Sequence, residues 1–202
     1  MSKNIEIYHQ QAALFAAQYD GLSFEQVHHC WRQYWPQDQL VLDIGAGSGR
    51  DALWLAEQGS QVVAVEPAND LLQLGLLKTG KKVLWLHDSL PELKVCYQLN
   101  LQFNTILLSA VWMHILPSER KRAFRNITNL LAPGGRLVMS LRFGGFSDER
   151  IAYPVSVDEI VALAGQFGLT LCFVSDKIAD AGGRAKIEWQ TLVLELPKAA
   201  TT

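Results

Sequence analysis

A glycine-rich turn between an apolar strand and a helix is the segment of this sequence best suited to chemistry. Gly45, Gly47 and Gly49 stand at alternate positions after the apolar run Leu40–Ile44 and before a helix expected over residues 50–58. Glycines at this spacing let the backbone turn tightly and approach a ligand without an intervening Cβ. The first amides of the helix point to the same space and favour a negatively charged or carboxylate group. We infer a cradle for a nucleotide-type cofactor.

An acid follows the second expected strand, at the position where the ribose of a nucleotide would lie. The strand Gln61–Val65 ends at Glu66. A dinucleotide fingerprint, G-x-G-x-x-G, would require glycine five residues after Gly45, but that position is Arg50. The spacing therefore disfavours a nicotinamide-dependent oxidoreductase, which stays as one alternative.

Two segments carry a family resemblance. They read Leu42-Asp43-Ile44-Gly45-Ala46-Gly47-Ser48-Gly49 and Leu131-Ala132-Pro133-Gly134-Gly135, the latter before an apolar run. The first resembles motif I of the class I S-adenosylmethionine-dependent methyltransferases, hh(D/E)hGxGxG, where h is an apolar residue. The second resembles the LkPGGxhhh signature that precedes the fifth strand of the same family. The leading acid, Asp43, has no counterpart in the dinucleotide fingerprint.

The resemblance covers residues 38–196 and implies the fold of the family. We expect an α/β, doubly wound, Rossmann-like seven-stranded sheet, mostly parallel with an antiparallel C-terminal strand and with helices on both faces. Residues 1–202 are expected to form a single methyltransferase domain, with an N-terminal helical cap at 1–37, the core at 38–196 and a tail at 197–202 that we expect to be frayed.

The resemblance also implies S-adenosyl-L-methionine as the cofactor, with S-adenosyl-L-homocysteine as its product. In the family the glycine turn lines the methionine and ribose, and the acid after the second strand binds the ribose hydroxyls. An acid after the third strand accepts from the adenine amino group, and the next residue donates its backbone amide to the ring. Asp88 and Ser89 match these positions, although they could also form a simple turn. The implied cofactor-binding residues are Asp43, Gly45, Ala46, Gly47, Gly49, Glu66, Pro67, Asp88, Ser89, Leu90, Ala110 and Val111.

The residues expected around the methyl acceptor are less specific. His114 is the leading candidate for a general base, and it could equally cap or orient the helix that follows it. Tyr8 and Tyr19 are candidate substrate contacts, because a phenol can stack and hydrogen-bond at once, or they could simply pack the cap onto the sheet. Arg142 could hold an acidic substrate group through its planar fork or pair with a neighbouring acid.

The reaction that the resemblance implies is SN2 transfer of a methyl group to a small-molecule acceptor, at oxygen or nitrogen. The Asn/Asp-Pro-Pro-Tyr and Pro-Cys marks of DNA methyltransferases are absent from the sequence, so DNA is not expected as a partner. A non-catalytic S-adenosylmethionine-binding regulatory domain is the main alternative. An RNA substrate and the oligomeric state are left open.

The elements that must position these residues alternate between strand and helix. We expect one helix over 4–19, a second from Ser23, a plausible N-cap, to residue 34, and further helices over 70–77, 118–131 and 156–167. Beyond the first two strands, further strands are expected over 83–86, 104–109, 131–140, 169–175 and 187–196. The family resemblance implies that the last two form an antiparallel hairpin.

The composition of the 202 residues is that of a globular protein, with 49% hydrophobic and 19% charged residues and a net charge of −2. No basic tract indicates a nucleic-acid or membrane surface. Cys30, Cys96 and Cys172 form no C-x-x-C pair, so no metal site and no disulfide framework are expected. With no signal-peptide or membrane-spanning run, we expect a cytoplasmic protein.

Overall fold

A computed structural model describes residues 3–198 of the chain. The eight strands of these residues are β1 (Leu40–Ile44), β2 (Gln61–Val65), β3 (Val83–Leu86), β4 (Phe103–Ser109), β5 (Leu131–Phe143), β6 (Thr170–Val174), β7 (Ile178–Ala179) and β8 (Glu188–Glu195). The α-helices are α1 (Lys3–Gln10), α2 (Ala12–Asp20), α3 (Phe24–His28), α4 (Arg50–Glu57), α5 (Asn69–Thr79), α6 (Lys94–Gln98), α7 (Pro117–Asn129) and α8 (Val157–Gln166). Short 3-10 helices lie at His29–Tyr34, Gly80–Lys82 and Trp112–His114.

The strands form one sheet in the order β3-β2-β1-β4-β5-β8-β6. Strands β1 to β5 pair in parallel, and β8 pairs antiparallel with both β5 and β6. The two-residue β7 pairs with β8 outside this seven-strand path. The predicted doubly wound sheet, with an antiparallel C-terminal strand, is therefore confirmed, and β7 is a short eighth strand that the sequence did not indicate.

Both faces of the sheet are covered by helices, as predicted. Successive residues of a strand point to opposite faces, and Leu42 packs into a core with α7 and α8, whereas the neighbouring Val41 packs with α3 and α4. The central strands can therefore be apolar at almost every position, which is typical of a parallel sheet buried on both sides.

The N-terminal cap differs in detail from its prediction. The single helix expected over 4–19 is two helices, α1 and α2, separated at Gln11, whose φ of −113° and ψ of 25° are not helical. Ser23 caps α3 as predicted, since its Oγ accepts from the Gln26 amide at 3.2 Å while the Gln26 side chain accepts from the Ser23 amide at 2.8 Å. The expected helix to residue 34 continues only as a 3-10 segment, kinked at Trp31.

Helices α1 and α2 pack on α5 through a small apolar cluster that includes Ile7, Phe15 and Leu71. This contact places the cap over the carboxyl ends of the central strands. Within the described residues no helix is long and apolar enough to cross a membrane. Of the tail predicted at 197–202, residues 199–202 lie outside the described part of the chain.

Candidate cofactor and acceptor site

A cavity of about 960 Å³ lies between the cap and the carboxyl ends of the central strands. This volume is at the upper end of the range for ligand pockets. Fifteen of the predicted site residues line it: Tyr8, Tyr19, Asp43, Gly45, Ala46, Gly47, Glu66, Pro67, Asp88, Ser89, Leu90, Ala110, Val111, His114 and Arg142. We call the part around Asp43, Gly45, Gly47 and Glu66 the cofactor end, and the part around Tyr8, His114, Arg142 and Arg150 the acceptor end.

The glycine turn is held against β2 by its own main chain. The amides of Gly45 and Ala46 both donate to the Val65 carbonyl, at 2.8 and 3.0 Å. Gly45 and Gly47 have φ values of +74° and +58°, a left-handed conformation that glycine adopts without a Cβ penalty. The turn therefore exposes its backbone to the cavity without side chains in the way.

Gly49 is the one predicted site residue that is not among those lining the cavity. It precedes α4 with a φ of +82°, and a Cβ on it would lie 2.8 Å from a ring carbon of Trp85. The third glycine of the motif thus serves the left-handed entry into α4 and the close packing of Trp85. Contact of Gly49 with the methionine or ribose, which the resemblance implied, stays a prediction.

Glu66 connects the turn to the end of β2. One carboxylate oxygen accepts from the Gly47 amide at 2.8 Å, and the other accepts from the Ala68 amide at 2.8 Å. Burial raises the pKa of Glu66 to about 7 despite these two hydrogen bonds, which act in the opposite direction. Each oxygen retains acceptor capacity, so the carboxylate can receive a pair of hydroxyl donors from the cavity.

Asp43 supplies a test of whether the cofactor end fits S-adenosylmethionine. Its side chain is 1% exposed, and its Oδ2 atom has no hydrogen-bond partner among the described residues. Burial first, and then the nearby carboxylate of Asp51, raise its pKa well above the ordinary value. A buried, unpaired carboxylate oxygen at the cavity wall fits the ammonium group of a methionine moiety, so the residues present suit this cofactor.

Asp88 is engaged by the chain that follows it. Its Oδ2 atom accepts from the amides of Val95 and Cys96 at 2.7 and 2.9 Å, which caps α6. Its Oδ1 atom accepts from the Ser89 amide at 2.8 Å. The Ser89 amide predicted to face the adenine ring therefore already has a partner, and the turn that was weighed as an alternative is present. Adenine recognition through the remaining capacity of Oδ1 stays a prediction.

The end of β4 closes against the glycine turn. Ala110 has a φ of +60°, and its amide donates to Ser140 Oγ at 3.0 Å. The Val111 side chain fills the space beside Gly45, where a Cβ would meet Val111 Cγ2 at 2.6 Å. The left-handed Ala110 thus brings backbone, and not a bulky side chain, to the middle of the cavity.

His114 is held on both sides of its ring. The Asn4 side-chain amide is oriented by Ile151, since Asn4 Oδ1 accepts from the Ile151 amide and Nδ2 donates to its carbonyl, both at 2.8 Å. The same Nδ2 lies 2.8 Å from His114 Nδ1, which must therefore accept. The proton then sits on Nε2, which lies 3.1 Å from the Tyr8 hydroxyl. The ring therefore links Asn4 to Tyr8.

This arrangement bears on both roles considered for His114. Burial, and after it the positive charges of Arg150 and Arg142, lower the pKa of His114 to about 4. The one lone pair of the neutral ring is occupied by Asn4, so the ring is poorly placed to accept a proton from a substrate. Its partners also lie on the cap and not on α7, the helix that follows. Orientation of Tyr8 is the role that the contacts support.

Tyr8 continues the chain of hydrogen bonds toward the cofactor end. Its hydroxyl accepts from Arg150 Nη1 at 2.9 Å as well as from His114, and it is also hydrogen-bonded to Tyr19. Burial and the nearby Tyr8 raise the pKa of Tyr19 well above the ordinary value, so Tyr19 remains a neutral donor beside Gly47.

Arg142, at the end of β5, does not take the acidic partner that the sequence analysis considered. Its guanidinium donates to the carbonyls of Gly144 and Gly145 and stacks 4.4 Å from the Phe146 ring centre. Among the described residues no carboxylate forms an ion pair with it, and its Nε–H has no partner. Burial first, and then Arg184, lower the pKa of Arg142.

Several residues of the acceptor end were missed by the sequence analysis. Asn4 shares a helical face with Ile7 and Tyr8 at the i, i+3 and i+4 positions, a pattern that could have indicated it. Arg150 and Phe146 follow a glycine-rich loop and carry no comparable signal. Within residues 3–198 no cluster of three or more metal-ligating side chains occurs.

The comparisons with known proteins agree with this geometry. Residues 41–135 match the family described as "Methyltransferase domain". An uncharacterized methyltransferase of Mycobacterium tuberculosis (strain ATCC 25618 / H37Rv) is 31% identical over 134 residues, which are 62% of this chain and 47% of that protein. The chain thus spans about half the length of the curated relatives it matches.

Solved structures show the same fold. The 1,6-didemethyltoxoflavin-N1-methyltransferase of Burkholderia thailandensis, with 1,6-didemethyltoxoflavin and S-adenosylhomocysteine bound, has a TM-score of 0.65 and 19% identity, over 98% of this chain and 92% of its own. The cyclase SpnF has a TM-score of 0.70 and 13% identity, over 96% of both chains. Residues 41–135 of this chain thus resemble the methyltransferase-domain family, and the solved structures that share its fold include a methyltransferase with S-adenosylhomocysteine bound.

Proposed function

We propose that this protein transfers the methyl group of S-adenosylmethionine to a small-molecule acceptor, at oxygen or nitrogen, by an SN2 reaction. The observation that carries the proposal is the continuous cavity, which joins the glycine turn and Glu66 at one end to Tyr8 and Arg142 at the other. The cofactor supplies the chemically activated methyl group. The protein contributes proximity and alignment, which can be worth roughly 7–11 kcal/mol in favourable cases.

The cofactor-binding roles follow from what each group can still donate or accept. Glu66 would accept from the two ribose hydroxyls, and the buried Asp43 oxygen from the methionine ammonium. The main chain of Gly45 and Gly47 would lie against the methionine and ribose, because their positive φ angles turn side-chain-free backbone to the cavity. Asp88 would accept from the adenine amino group.

A small acceptor is supported by the way in which the cap covers the cavity. The α1 and α2 helices bring Asn4, Tyr8 and Tyr19 to its wall, and Asn4 is tied to the main chain at Ile151. The N1-methyltransferase noted above, which matches nearly the whole chain in fold, is named for methylation of a small heterocycle. This chain resembles that enzyme in fold alone, so the identity of the acceptor is our own proposal.

Two other functions remain to be tested against this one. A regulatory domain that binds S-adenosylmethionine without catalysis would have the same cofactor end, and SpnF shows that a protein of this fold can be a cyclase. A nicotinamide-dependent oxidoreductase would require a dinucleotide in the same cradle. Binding measurements with NADH and NADPH test for the oxidoreductase. An assay of methyl transfer to a library of acceptors distinguishes a methyltransferase from a non-catalytic regulatory domain.

The first experiment is calorimetry with S-adenosylmethionine, S-adenosylhomocysteine, NADH and NADPH. Wild type should bind only the two adenosyl compounds, and Glu66→Ala should lose about 100-fold in affinity, since it removes charge-assisted hydrogen bonds. Glu195→Ala is the matched control, because that acid lies on β8 in an exposed pair with Arg136. Binding of NADH alone, or of no compound, would overturn the proposal.

A further inference from the structure

The acceptor end of the cavity contains three arginines that differ in how they are neutralised. Asp148 accepts two parallel hydrogen bonds from Arg150, at 2.9 and 2.7 Å, and Asp180 accepts from Arg184 at 3.0 and 2.6 Å. Arg142 has only the carbonyls of Gly144 and Gly145. Arg142 is therefore the arginine of this group whose charge is left without a carboxylate partner in the described chain.

The charged side chains named above sum to one positive charge at the acceptor end. The three arginines exceed the two aspartates by one, and His114 is neutral because its pKa lies near 4. A buried charge without a counter-ion is unfavourable, and Arg142 is only 5% exposed. A ligand with one negative charge would complete the pairing, whereas a dianion would bring more charge than this end compensates.

The shape of the surroundings favours a planar, partly apolar anion. The Phe146 ring is parallel to the His114 ring, with centroids 5.4 Å apart and an interplanar angle of 1°. Phe146 also stacks under both Arg142 and Arg150, at 4.4 and 4.0 Å. The guanidinium of Arg142 uses two of its five donors on the protein, and its Nε–H is unpartnered. A guanidinium fork with free donors matches the two oxygens of a carboxylate.

We propose that the methyl acceptor is an aromatic or similarly planar carboxylic acid and that Arg142 binds its carboxylate. The proposal rests on the proposed function and specifies its substrate class. The carboxylate would anchor one edge of the acceptor at the end of β5, so that the remainder of the molecule extends past Phe146 toward the cofactor end. Arg142 would then determine specificity by rejecting the neutral amide or ester of the same acid.

The test is a titration of the protein, with and without S-adenosylhomocysteine, followed by NMR of the arginine ¹⁵Nε resonances. Benzoate is the probe, benzamide is its neutral isostere, and inorganic phosphate tests for a different anion. Arg142→Gln assigns the resonance. Benzoate should shift the Arg142 signal and bind at least about tenfold more tightly than benzamide or phosphate. Benzamide lacks the ionic fork, and phosphate brings more than one negative charge and no planar ring. Arg142→Gln should abolish that preference.

Arg136→Gln is the matched control, because Arg136 lies on the same strand where its pairing with β8 begins, away from the cavity, and pairs with Glu195. This variant should retain the benzoate preference. An unshifted Arg142 signal in wild type, equal binding of benzamide, or tighter binding of phosphate would overturn the carboxylate assignment. The relative binding of benzoate, benzamide and phosphate is measured on wild type, so these two outcomes hold even if Arg142→Gln does not fold and its resonance stays unassigned. Failure of the methyltransferase proposal is separate, since it appears as absent S-adenosylhomocysteine binding or as absent methyl transfer to the acceptor library.

Discussion

The two ends of the cavity are built in different ways. At the cofactor end the important contacts join main-chain amides to one nearby acid. The Gly47 amide, for example, donates to Glu66, which lies only 19 residues further along the chain. At the acceptor end they join side chains from remote parts of the sequence, with Asn4 and Ile151 separated by 147 residues and Tyr8 and His114 by 106. The first end is a local property of one strand-turn-helix unit, whereas the second exists only when the whole fold has formed.

The ends also differ in charge. Burial raises the pKa values of Asp43 and Glu66, so protons are held at the cofactor end. At the acceptor end burial and two arginines lower the pKa of His114, so the proton is excluded. The side chains that face a ligand also differ, since the carboxyl groups of Asp43 and Glu66 lie at the cofactor end and the guanidinium donors of Arg142 and Arg150 lie at the acceptor end.

The largest expected effect tests the main-chain character of the cofactor end. Gly49→Ala should destabilise the protein by about 2–5 kcal/mol, because a left-handed alanine costs roughly 1–2 kcal/mol and the new Cβ overlaps the Trp85 ring. The control is Gly145→Ala at the acceptor end, where no atom lies within 4 Å of the added Cβ, and we expect a change within about 0.5 kcal/mol. Urea unfolding measures both.

Similar losses for the two glycine variants would contradict the distinction between the ends. A small loss at Gly49 alone would mean that the Trp85 ring can move away without cost. In that case the third glycine of the motif would have no packing role, and its absence from the cavity wall would need another reason.

The next effect concerns the opposite pH dependence of the two ends. The pKa of Glu66 is raised from its ordinary value of 4.5 to about 7, so the folded protein binds this proton more tightly than the unfolded chain. Its stabilising contribution is fully present below pH 4.5 and is lost as the pH rises through 7. The free energy of unfolding should fall by up to about 3 kcal/mol over this range. Glu66→Gln should remove this loss, as measured by urea unfolding between pH 4.5 and 8.

The acceptor end provides the comparison. His114 has a lowered pKa, so its contribution is present above pH 6.5 and is lost as the pH falls toward 4. Glu66→Gln should leave this acid-side loss unchanged. If the variant keeps the alkaline loss of the wild type, another group, such as Asp43, is responsible for it.

The difference in construction explains what the sequence could predict. The bounds of β1, β2 and β3 and the position of Glu66 are local properties, set by apolar runs and by glycines that permit a single kind of turn. Sheet order followed from the family resemblance. The pairing of Asn4 with Ile151 and the role of Arg150 depend on tertiary contacts across more than 140 residues, which no spacing in the sequence encodes.

Two residues at the cofactor end, Gly49 and Ser89, have contacts within the protein that the motif does not indicate. A motif gives residue types in order but not the direction in which each group points. Gly49 follows the turn and packs on Trp85, and the Ser89 amide turns back to the carboxylate of Asp88. Both residues have the sequence position of a ligand contact while their described contacts are internal to the protein.

The smallest of these effects tests the remote connections of the acceptor end. Asn4→Ala removes three hydrogen bonds, two with the Ile151 main chain and one with His114 Nδ1, and we expect a loss of about 1–3 kcal/mol. Its more specific consequence concerns the ring of His114. Without the Asn4 donor the Nε2–H tautomer is no longer imposed, and ¹⁵N NMR of the ring should show a mixture of tautomers in place of one.

Asn126→Ala is the matched control for that variant, since its amide makes one hydrogen bond, to the Pro91 carbonyl at 2.7 Å, away from the ring. It should cost less and leave the His114 tautomer unchanged. If His114 keeps a pure Nε2–H tautomer in Asn4→Ala, then Arg150 and Tyr8 alone orient the ring. The acceptor end would then be organised from the loop after β5, and the cap would serve only to cover it.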